Sequence, residues 1–415
     1  MIKELTMEKT SLPVGWEMKT LGDISDFQRG LTYSRKDAVD FSENIVLRAT
    51  NIDLDKSCLD FSELKYLNND FQVKQNKKIV KGGLLICLSS GSKKHLGKVA
   101  LVTDEYNYAF GGFIGQIIPD NQVVSKYLFY NLVSEAYKKY ISELTDGIGI
   151  NNLKSIDLKS FEIPLPPLPQ QKQIVALLDK AFAAIDTAKA NAEQNLQNAK
   201  ELFESYFRKA LSNKNWLTVK LGEACEKVEY GSSTKSSREG LLPVLRMGNI
   251  QNRRLVWNDL KYSNNKEDND KYLLKYNDVL FNRTNSPEWV GKTAIYKGEM
   301  PAIFAGYLIR IIRKEDLLDA DYLNYYLNSQ IAKDYGDTVV ISSVNQANIN
   351  GTKLKSYPIP LPDIETQKQI VQKLDSLSIE CEKLEAIYTQ KIADLEEMKK
   401  SVLQKAFSGQ LNTIN

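Results

Sequence analysis

Residues suited to catalysis or metal binding are scarce in this chain. His95 is the only histidine, and the four cysteines, Cys58, Cys87, Cys225 and Cys381, lie far apart without a CxxC pair. Zinc sites and histidine-activated nucleophiles need several such residues in suitable patterns, so the sequence predicts neither a metal site nor that kind of catalysis. Dispersed cysteines without a disulfide framework are typical of a reducing cytoplasm, which is the predicted location.

Partial catalytic motifs give no better support for an enzyme. Gly291-Lys292-Thr293 looks like the end of a phosphate-binding loop, but Ser286 stands where the first glycine of that loop is required. Asp53, Glu63 and Lys65 mimic the acidic and lysine residues of metal-dependent nucleases, although with 26% charged residues such triplets arise freely. The glycine-rich cofactor loop and the Asn/Asp-Pro-Pro-aromatic tetrapeptide of adenine methyltransferases do not occur. We therefore predict no catalytic residues in this chain.

The composition is that of a globular protein of two or three domains. The chain has 415 residues, of which 42% are hydrophobic. No run of about 18 uncharged apolar residues occurs, so neither a membrane span nor a membrane partner is predicted. With 55 basic and 52 acidic residues the formal charge is only +3. The charge balance alone therefore does not predict nucleic-acid binding.

An internal repeat sets the organisation of the chain. Segment 158–179, LKSFEIPLPPLPQQKQIVALLD, aligns with segment 354–375, LKSYPIPLPDIETQKQIVQKLD, at a constant offset of 196 and with 14 identities in 22 positions. Weaker matches keep nearly the same offset, such as LRATNI at Leu47 and LRMGNI at Leu245. A period this long indicates two duplicated domains rather than a solenoid.

Each copy has the same order of elements. Short β-branched and aromatic runs between turn residues, such as GGLLICLSSGS and DVLFNRTNS, predict a β-rich domain, with helices near 125–141 and 318–336. Prolines then close the domain and a long helix begins. We predict an α+β protein with two duplicated β-rich domains. Their bounds are 1–169 and 212–365, with long helices at 170–211 and 366–415.

Heptad spacing predicts that the two long helices pair. A helix of 42 residues is roughly 63 Å long, which is too long to be covered by its own small domain. An antiparallel coiled coil with a pseudo-two-fold arrangement follows if the two copies pack along their seams. Asn195 and Lys391 occupy equivalent seam positions and either fix the register or face solvent where the seam opens. The predicted seam consists of Ile174, Leu178, Ile185 and Leu202 in the first helix and Ile370, Leu374, Leu377, Leu384 and Leu395 in the second.

The chain resembles the specificity subunits of Type I restriction-modification systems. The duplicated PLP and QKQIV helix openings, the ending QKAFSGQL, the start WEMKTLGDI and the loop DVLFNRTNSPEWVGKTAI carry this resemblance over essentially the whole sequence. It implies a non-catalytic subunit that binds an asymmetric, bipartite site in double-stranded DNA, one half-site per target recognition domain. The long helices would act as a ruler for the base pairs between.

The resemblance also implies partner subunits. Two modification (methyltransferase) subunits and the restriction (endonuclease and translocase) subunits would be carried to the site. S-adenosylmethionine, ATP and Mg²⁺ would be bound by those partners and no cofactor by this chain. The alternative is a coiled-coil scaffold without sequence-specific DNA reading, but a scaffold needs no paired β-rich domains with divergent polar loops.

Polar loops supply residue types that contact DNA. Arg and Lys donate to guanine, Asn and Gln pair with adenine, and Lys, Arg, Ser and Thr hold phosphates. An ordinary solvated turn is at least as good an interpretation for any one of these residues. The candidates in the first copy are Tyr33, Ser34, Arg35, Lys36, Ser89, Ser90, Ser92, Lys93, Lys94 and His95. Those in the second copy are Ser232, Thr234, Lys235, Arg238, Asn252, Arg253, Arg254, Asn282, Arg283 and Asn285.

The duplication separates two roles among these residues. If the domains read different half-sites, shared residues belong to the scaffold or to sequence-blind contacts, and divergent ones to readout. Arg48 and Arg246 are shared and are assigned to structure or phosphate. The segment 93–95 diverges from its counterpart 286–288 and is the better candidate for reading bases. A lysine cluster at 74, 77, 78 and 81 could hold phosphates or be a solvated strand edge.

Overall fold

The computed structural model describes residues 12–146, 152–211, 216–343 and 346–411. The chain divides into two compact units, the first formed by 1–192 with 390–415 and the second by 193–389. Both units combine β-sheets with helices, as the predicted α+β class requires. Within the described residues, no helix is long and apolar enough to cross a membrane.

The described residues of the first unit form ten strands in three sheets. A central antiparallel sheet has the order β2-β9-β6-β7, a second sheet has the order β3-β5-β4-β8, and β1 pairs with β10. The strands are β1 (Glu17–Thr20), β2 (Ser25–Arg29), β3 (Ala38–Val39), β4 (Asn44–Leu47), β5 (Lys65–Leu67), β6 (Leu84–Cys87), β7 (Val99–Leu101), β8 (Ala109–Phe110), β9 (Ile114–Pro119) and β10 (Glu162–Leu165). The helices are α1 (Ser125–Leu132), α2 (Glu135–Leu144), α3 (Ser155–Lys159) and the first part of α4 (Leu168–Leu211).

Strand β6 is apolar throughout because the central sheet is buried on both faces. Leu84 and Ile86 point into a core that includes the helices, whereas Leu85 and Cys87 point into a core shared with the second sheet. Side chains alternate along a strand, so a strand covered on both faces reads as a continuous apolar run. The run LLIC is therefore the sequence signature of this central position.

The second unit repeats this plan. Its central sheet has the order β12-β21-β17-β19, a smaller sheet has the order β16-β13-β20, and β11 pairs with β24. The strands are β11 (Leu217–Lys220), β12 (Cys225–Tyr230), β13 (Leu242–Leu245), β14 (Ile250–Gln251), β15 (Arg254–Leu255), β16 (Lys261–Ser263), β17 (Val279–Asn282), β18 (Thr284–Asn285), β19 (Thr293–Ile295), β20 (Ile303–Phe304), β21 (Leu308–Arg313), β22 (Ile341–Ser343), β23 (Gln346–Asn348) and β24 (Pro358–Leu361). The helices are the last part of α4, α5 (Lys266–Lys271), α6 (Ala320–Leu327), α7 (Gln330–Val339), α8 (Gly351–Lys355) and α9 (Ile364–Phe407), whose last part, from 390 onward, belongs to the first unit.

The matching strand orders confirm the duplication inferred from the repeat. Where the second copy has the hairpin β14-β15 and the pair β18-β23, the described part of the first copy has the isolated bridges Ile52–Leu59 and Ser89–Asn152. Each predicted helical stretch forms two helices. The break falls where Ser134 and Ser329 accept a hydrogen bond from a backbone N–H three residues further on, at 3.3 and 3.2 Å, and so start α2 and α7.

The two long helices, α4 and α9, each have 44 residues. In the first unit, Ile174, Leu178 and Ile185 are buried together with Leu403 and Ala406, and Leu395 packs against the same core. Lys189 pairs with Glu396, and Lys399 pairs with Asp186 at 3.0 Å. From Asp186 to Lys189 along α4, the partner on α9 changes from Lys399 back to Glu396. The two helices therefore run antiparallel in this unit.

In the second unit most of the predicted seam residues of α9 lie on its buried face, but the predicted seam is wrong near the end of α4. Ile370 and Leu374 are buried, Leu377 packs against them, and Leu384 is half-buried. Leu202, however, is 47% exposed, and its neighbour Phe203 is buried instead. The buried residues here are Ala199, Phe203 and Phe207, which are four positions apart. A nearly straight helix drifts relative to a strict seven-residue repeat, so the buried positions depart from the predicted ones.

Asn195 and Lys391 are both exposed. The hypothesis that they fix the helix register is therefore wrong, and the solvent-facing alternative is correct. A buried polar residue selects a helix register because other registers would leave its polar groups without hydrogen bonds, at a cost in free energy. Exposed side chains bind water in every register and carry no such cost.

A buried glutamine anchors each long helix to its own domain. The Gln171 side chain accepts a hydrogen bond from the backbone N–H of Val124 at 2.8 Å and donates to the carbonyl oxygens of Gln122 and Pro166. In the second unit, the Gln367 side chain makes the same three bonds, with Asp319 N–H and the carbonyls of Leu317 and Pro362. Both glutamines are fully buried. The first glutamine of each QKQIV motif therefore fixes the domain on its long helix. We name this buried glutamine with its three hydrogen bonds the glutamine socket.

A tyrosine and an aspartate add a second anchor in each unit. The Tyr130 hydroxyl donates to Asp179, and the Tyr325 hydroxyl donates to Asp375. Burial, followed by the adjacent carboxylate, raises the pKa of both tyrosines above the ordinary value. Both hydroxyls therefore remain protonated donors at any physiological pH.

Candidate nucleic-acid interface

Loops at one end of the central sheet converge in the first unit. Gly30 follows β2 and passes so close to Gly111 that a Cβ on Gly30 would lie 2.1 Å from the Gly111 carbonyl oxygen. The backbone N–H groups of Leu88 and Ser89 donate to the Phe113 carbonyl, at 2.9 and 3.2 Å. Ser89 also bridges to Asn152. These contacts unite residues 30–36, 88–96, 111–113 and 152–153, which we name the first loop cluster.

Equivalent loops converge in the second unit. A Cβ on Gly231, which follows β12, would lie 2.3 Å from the Phe304 carbonyl oxygen. The backbone N–H of Arg283 donates to the Tyr307 carbonyl at 3.1 Å, and the N–H of Ile349 donates to the Arg283 carbonyl at 2.9 Å. Residues 231–238, 283–290, 305–307 and 347–349 form the second loop cluster. A glycine is required at the first position of each cluster because two backbones approach within contact distance.

The first loop cluster carries exposed cations on a fixed turn. Arg35, Lys36 and Lys94 are exposed. Asp37 accepts a hydrogen bond from the Ser34 N–H at 2.6 Å, which holds the turn that carries Arg35 and Lys36 and lowers the Asp37 pKa. These side chains have the types that contact phosphates and guanine.

The other candidates in the first cluster differ in exposure and in their intramolecular contacts. Tyr33 packs against the apolar cluster around Leu31, and Ser89 and Ser90 are half-buried, whereas Ser92 is exposed. The Lys93 side chain donates to the Thr145 carbonyl at 2.9 Å. The buried Nδ1 of His95 has no hydrogen-bond partner within the described residues. Lys93 thus helps to fix the loop that presents Lys94.

In the second loop cluster, Thr234, Lys235 and Arg238 are exposed. Ser232 is buried instead, and its hydroxyl donates to Asp268 at 2.6 Å. This hydrogen bond, and then the one from Thr234, lowers the Asp268 pKa. Ser232 therefore holds the base of the loop, and the exposed residues after it form the accessible surface.

Asn282 and Arg283 shape the second cluster from inside. Asn282 is 1% exposed, and its Nδ2 donates to the Trp289 carbonyl across the loop at 3.0 Å. The Arg283 guanidinium donates to the Gly306 carbonyl at 3.1 Å and lies 4.9 Å from the Tyr230 ring centroid. Asn285 is half-buried in β18. The contacts of Asn282 and Arg283 support the loop rather than present donors to a ligand.

The turn 252–254 lies elsewhere, against the long helices of the second unit. Asn252 and Arg253 have positive φ values of 47° and 63°, which form the tight turn of the β14-β15 hairpin. The Arg253 guanidinium lies 4.5 Å from the Phe203 ring centroid and donates to the Ser378 hydroxyl at 3.0 Å. Arg254 lies 3.6 Å from Glu382. These contacts support a packing role for Arg253, whereas Arg254 is exposed and its ion pair with Glu382 lies at the surface.

Several other basic residues have intramolecular partners. Arg48 pairs with Glu63 and Arg246 with Asp259, both at 3.2 Å. This pairing agrees with the structural role inferred from their duplication. Within the lysine cluster, Lys77 donates to the Arg29 carbonyl at 2.7 Å, Lys78 to Asn107, and Lys81 lies 3.7 Å from Asp104.

Two aromatic side chains were missed by the sequence reasoning. Phe113 and Tyr307 are 68% and 53% exposed, one in each loop cluster. The signal was present in the repeat, because GGFIG and AGYLI occupy corresponding positions immediately before β9 and β21.

The comparison with known families decides the identity of both domains. The family described as Type I restriction modification DNA specificity domain matches residues 13–198 and 213–396. This chain belongs to that family. It functions as a specificity subunit of a Type I restriction-modification system with two DNA specificity domains, as the resemblance predicted, and the scaffold alternative is not supported.

Individual relatives agree along the whole length. The chain is 28% identical over 426 residues to the EcoKI specificity subunit of Escherichia coli strain K12, covering 98% of this chain and 91% of the relative. The HsdS subunit of Thermoanaerobacter tengcongensis has a TM-score of 0.61 at 20% identity, covering 98% of this chain and all of that one. A chain from a type I R-M system, solved to explain complex assembly and conformational transition, has a TM-score of 0.77 at 19% identity, covering 97% and 100%. These two structures share the fold.

Proposed function

We propose that this specificity subunit binds an asymmetric, bipartite sequence in double-stranded DNA, with one half-site read by each loop cluster. The observation that carries the proposal is the pair of equivalent clusters built on one scaffold with different exposed residues. Both are anchored by a glycine at a close backbone approach, and both present flexible cations beside polar side chains. Such a surface can hold phosphates and donate to base edges.

Differences between the clusters support different half-sites. The exposed Lys94 lies on a loop whose counterpart carries the exposed Glu288. A lysine donates to guanine O6 and N7, whereas a carboxylate accepts from the cytosine amino group. The exposed readout candidates are therefore Arg35, Lys36, Ser92 and Lys94 in the first cluster and Thr234, Lys235, Arg238 and Glu288 in the second.

The chemistry of methyl transfer and cleavage belongs, in this proposal, to partner subunits. Two modification subunits and the restriction subunits would bind S-adenosylmethionine, ATP and Mg²⁺, and this chain would be non-catalytic. The formal charge of +3 supports binding of the DNA phosphates by this chain and its partner subunits together, because a chain with this charge balance neutralises few phosphates alone. The same proposal includes recognition domains at 1–169 and 212–365, spacer segments at 170–211 and 366–415 that contain most of α4 and α9, and a cytoplasmic location.

Methylome mapping tests the bipartite reading. Cells expressing the chain with its modification subunits are expected to show one methylated motif with two specified halves and an unspecified spacer. Exchanging residues 286–288 of the second cluster for those of another family member should alter one half of the motif and leave the other unchanged. A continuous motif, or changes in both halves, would contradict one half-site per cluster. Retained methylation when the modification subunits are omitted would contradict the non-catalytic assignment.

A further inference from the structure

Phe113 and Tyr307 occupy the same place in the two domains. Each residue immediately precedes the six-residue strand that lies second in its central sheet, β9 or β21. Each follows a small residue and a glycine in the turn after β8 or β20. The rings are 68% and 53% exposed, so most of each ring is available to a ligand.

The backbone under each ring is fixed. The Phe113 carbonyl accepts hydrogen bonds from two consecutive N–H groups of the neighbouring loop, and the Tyr307 carbonyl accepts one from Arg283. The Arg283 side chain adds a further bond, to the Gly306 carbonyl. A ring on a fixed backbone binds with little loss of conformational freedom, because few torsions remain to be ordered.

Other exposed aromatic residues have neighbours that account for them. The Phe41 ring centroid lies 5.3 Å from that of Tyr66, and Lys292 Nζ lies 3.2 Å from the Trp289 ring centroid. Tyr276 has Lys297 Nζ at 5.6 Å. Phe113 and Tyr307 have no ring or cation contact within the described part of the chain. A single exposed aromatic needs no explanation, but its recurrence at the equivalent position of a divergent loop cluster does.

We infer that Phe113 and Tyr307 are DNA-contacting residues that pack their rings against a base step of each half-site irrespective of its sequence. The inference rests on the proposed DNA-binding function and adds residues and a contact mode to it. An aromatic ring is retained in both copies while the adjacent segments 93–95 and 286–288 differ. Apolar side chains can insert between the base steps of a duplex, and because every base has an aromatic face this contact needs no particular hydrogen-bonding edge.

The test uses the complex with its modification subunits and a duplex carrying the mapped motif. Phe113→Ala and Tyr307→Ala are each expected to weaken binding about 10-fold. The loss should be equal for the motif and for duplexes altered in either half-site, so that the specificity ratio is unchanged. Phe113→Trp and Tyr307→Phe should retain binding. With 2-aminopurine placed in one half-site, the fluorescence rise on binding should disappear with one alanine variant and persist with the other.

The matched controls are Phe41→Ala and Tyr276→Ala. Each removes an exposed ring that lies at the end of the strands facing away from the loop cluster. They should bind as the wild type does. Unchanged affinity and fluorescence in Phe113→Ala and Tyr307→Ala, with normal wild-type binding, would overturn this inference alone. A loss confined to one base sequence would overturn the sequence-independent contact. A wild-type complex that binds no bipartite site would instead refute the proposed function and this inference with it.

Discussion

Arg310 lies at the centre of a buried ion network in the second domain. Its guanidinium pairs with Glu229, lies 3.1 Å from Asp278, and donates to the Leu273 carbonyl at 2.8 Å. Desolvation raises the pKa of Asp278. Desolvation also opposes the charge of Glu229, but hydrogen bonds from Lys227 and Arg310 outweigh it and lower that pKa. In the first domain, the equivalent position holds the buried Gln116, which donates to the Lys78 carbonyl and accepts from the Val80 N–H.

Removing this arginine should unfold the second unit at lower denaturant. Arg310→Gln leaves the buried Asp278 without a cation and leaves the half-buried Glu229 with Lys227 alone, so we expect a loss of about 3 kcal/mol in the free energy of unfolding. Urea denaturation followed by tryptophan fluorescence measures it, since Trp216, Trp257 and Trp289 belong to this unit. The exposed Arg238→Gln is the control. Adding Glu229→Gln and Asp278→Asn should restore most of the loss, and a single variant within about 0.5 kcal/mol of wild type would refute the expectation.

Residue type alone could not separate ligand-facing groups from packing groups. Arg253 and Lys235 both follow turn residues in polar stretches, and both suit a phosphate. The structure leaves Lys235 exposed and places Arg253 between Phe203 and Ser378, because a residue 125 positions away in sequence supplies its partner. Such long-range partners leave no local pattern. Phe113 and Tyr307 did leave one, in the alignment of the two copies.

At the scale of elements, the glutamine sockets explain why QKQIV is the best-retained part of the repeat. Each buried side chain satisfies three backbone groups that no other described group reaches. Gln171→Leu keeps the volume but leaves those groups unpaired. We expect it to destabilise the first unit by about 3 kcal/mol, and Gln367→Leu to do the same to the second. Thermal unfolding monitored by circular dichroism is the measurement. The exposed Gln173→Leu should have no comparable effect, and equal melting of all three variants would contradict the socket.

The helix pair of the first unit should weaken in acid. The hydrogen bond from Lys189 lowers the Glu396 pKa below its ordinary 4.5, in spite of partial burial. A carboxyl with a lowered pKa in the folded state adds stability above its unfolded pKa and loses it as the pH falls through the folded pKa. Stability should therefore decline below about pH 4.5 through this group. Glu396→Gln should reduce this loss of stability in acid, measured as the melting temperature over a series of pH values. The exposed Glu397→Gln is the neighbouring control, and an unchanged acid limb in Glu396→Gln would count against the pair.

The existence of the long helices could be predicted from the sequence, but the end of the second and the phase of the seam could be predicted only in part. The repeated apolar steps mark each helix, and the observed bounds are Leu168–Leu211 and Ile364–Phe407, so the described residues of the predicted 366–415 helix that follow Phe407 are not helical. The seven-residue step failed at Leu202, where Phe203 takes the buried place. Spacing gives the period, but the larger side chain and the neighbouring Tyr325 decide which of two adjacent residues is buried.

At the scale of the whole molecule, the near-neutral charge makes a prediction about salt. The chain alone should bind its motif weakly, with a dissociation constant above about 1 µM at physiological salt. The complex with modification subunits should bind far more tightly and show a steeper decline of affinity with salt concentration, because it neutralises more phosphates. Fluorescence anisotropy across a salt series measures both slopes, with a duplex scrambled in both half-sites as control. Tight, specific binding by the isolated chain would refute the proposal that the partner subunits contribute to phosphate binding.

The first unit is assembled from both ends of the polypeptide. Leu403 and Ala406 are buried in its core, and the Phe407 ring centroid lies 5.5 Å from that of Tyr127. During synthesis, residues 1–192 emerge first, yet these partners follow only after the contiguous second unit, 193–389, has been made. At ribosomal rates the interval is about 10–40 s. The second unit can therefore mature before the first, whose apolar helix face stays open for that time as a target for chaperones or proteases.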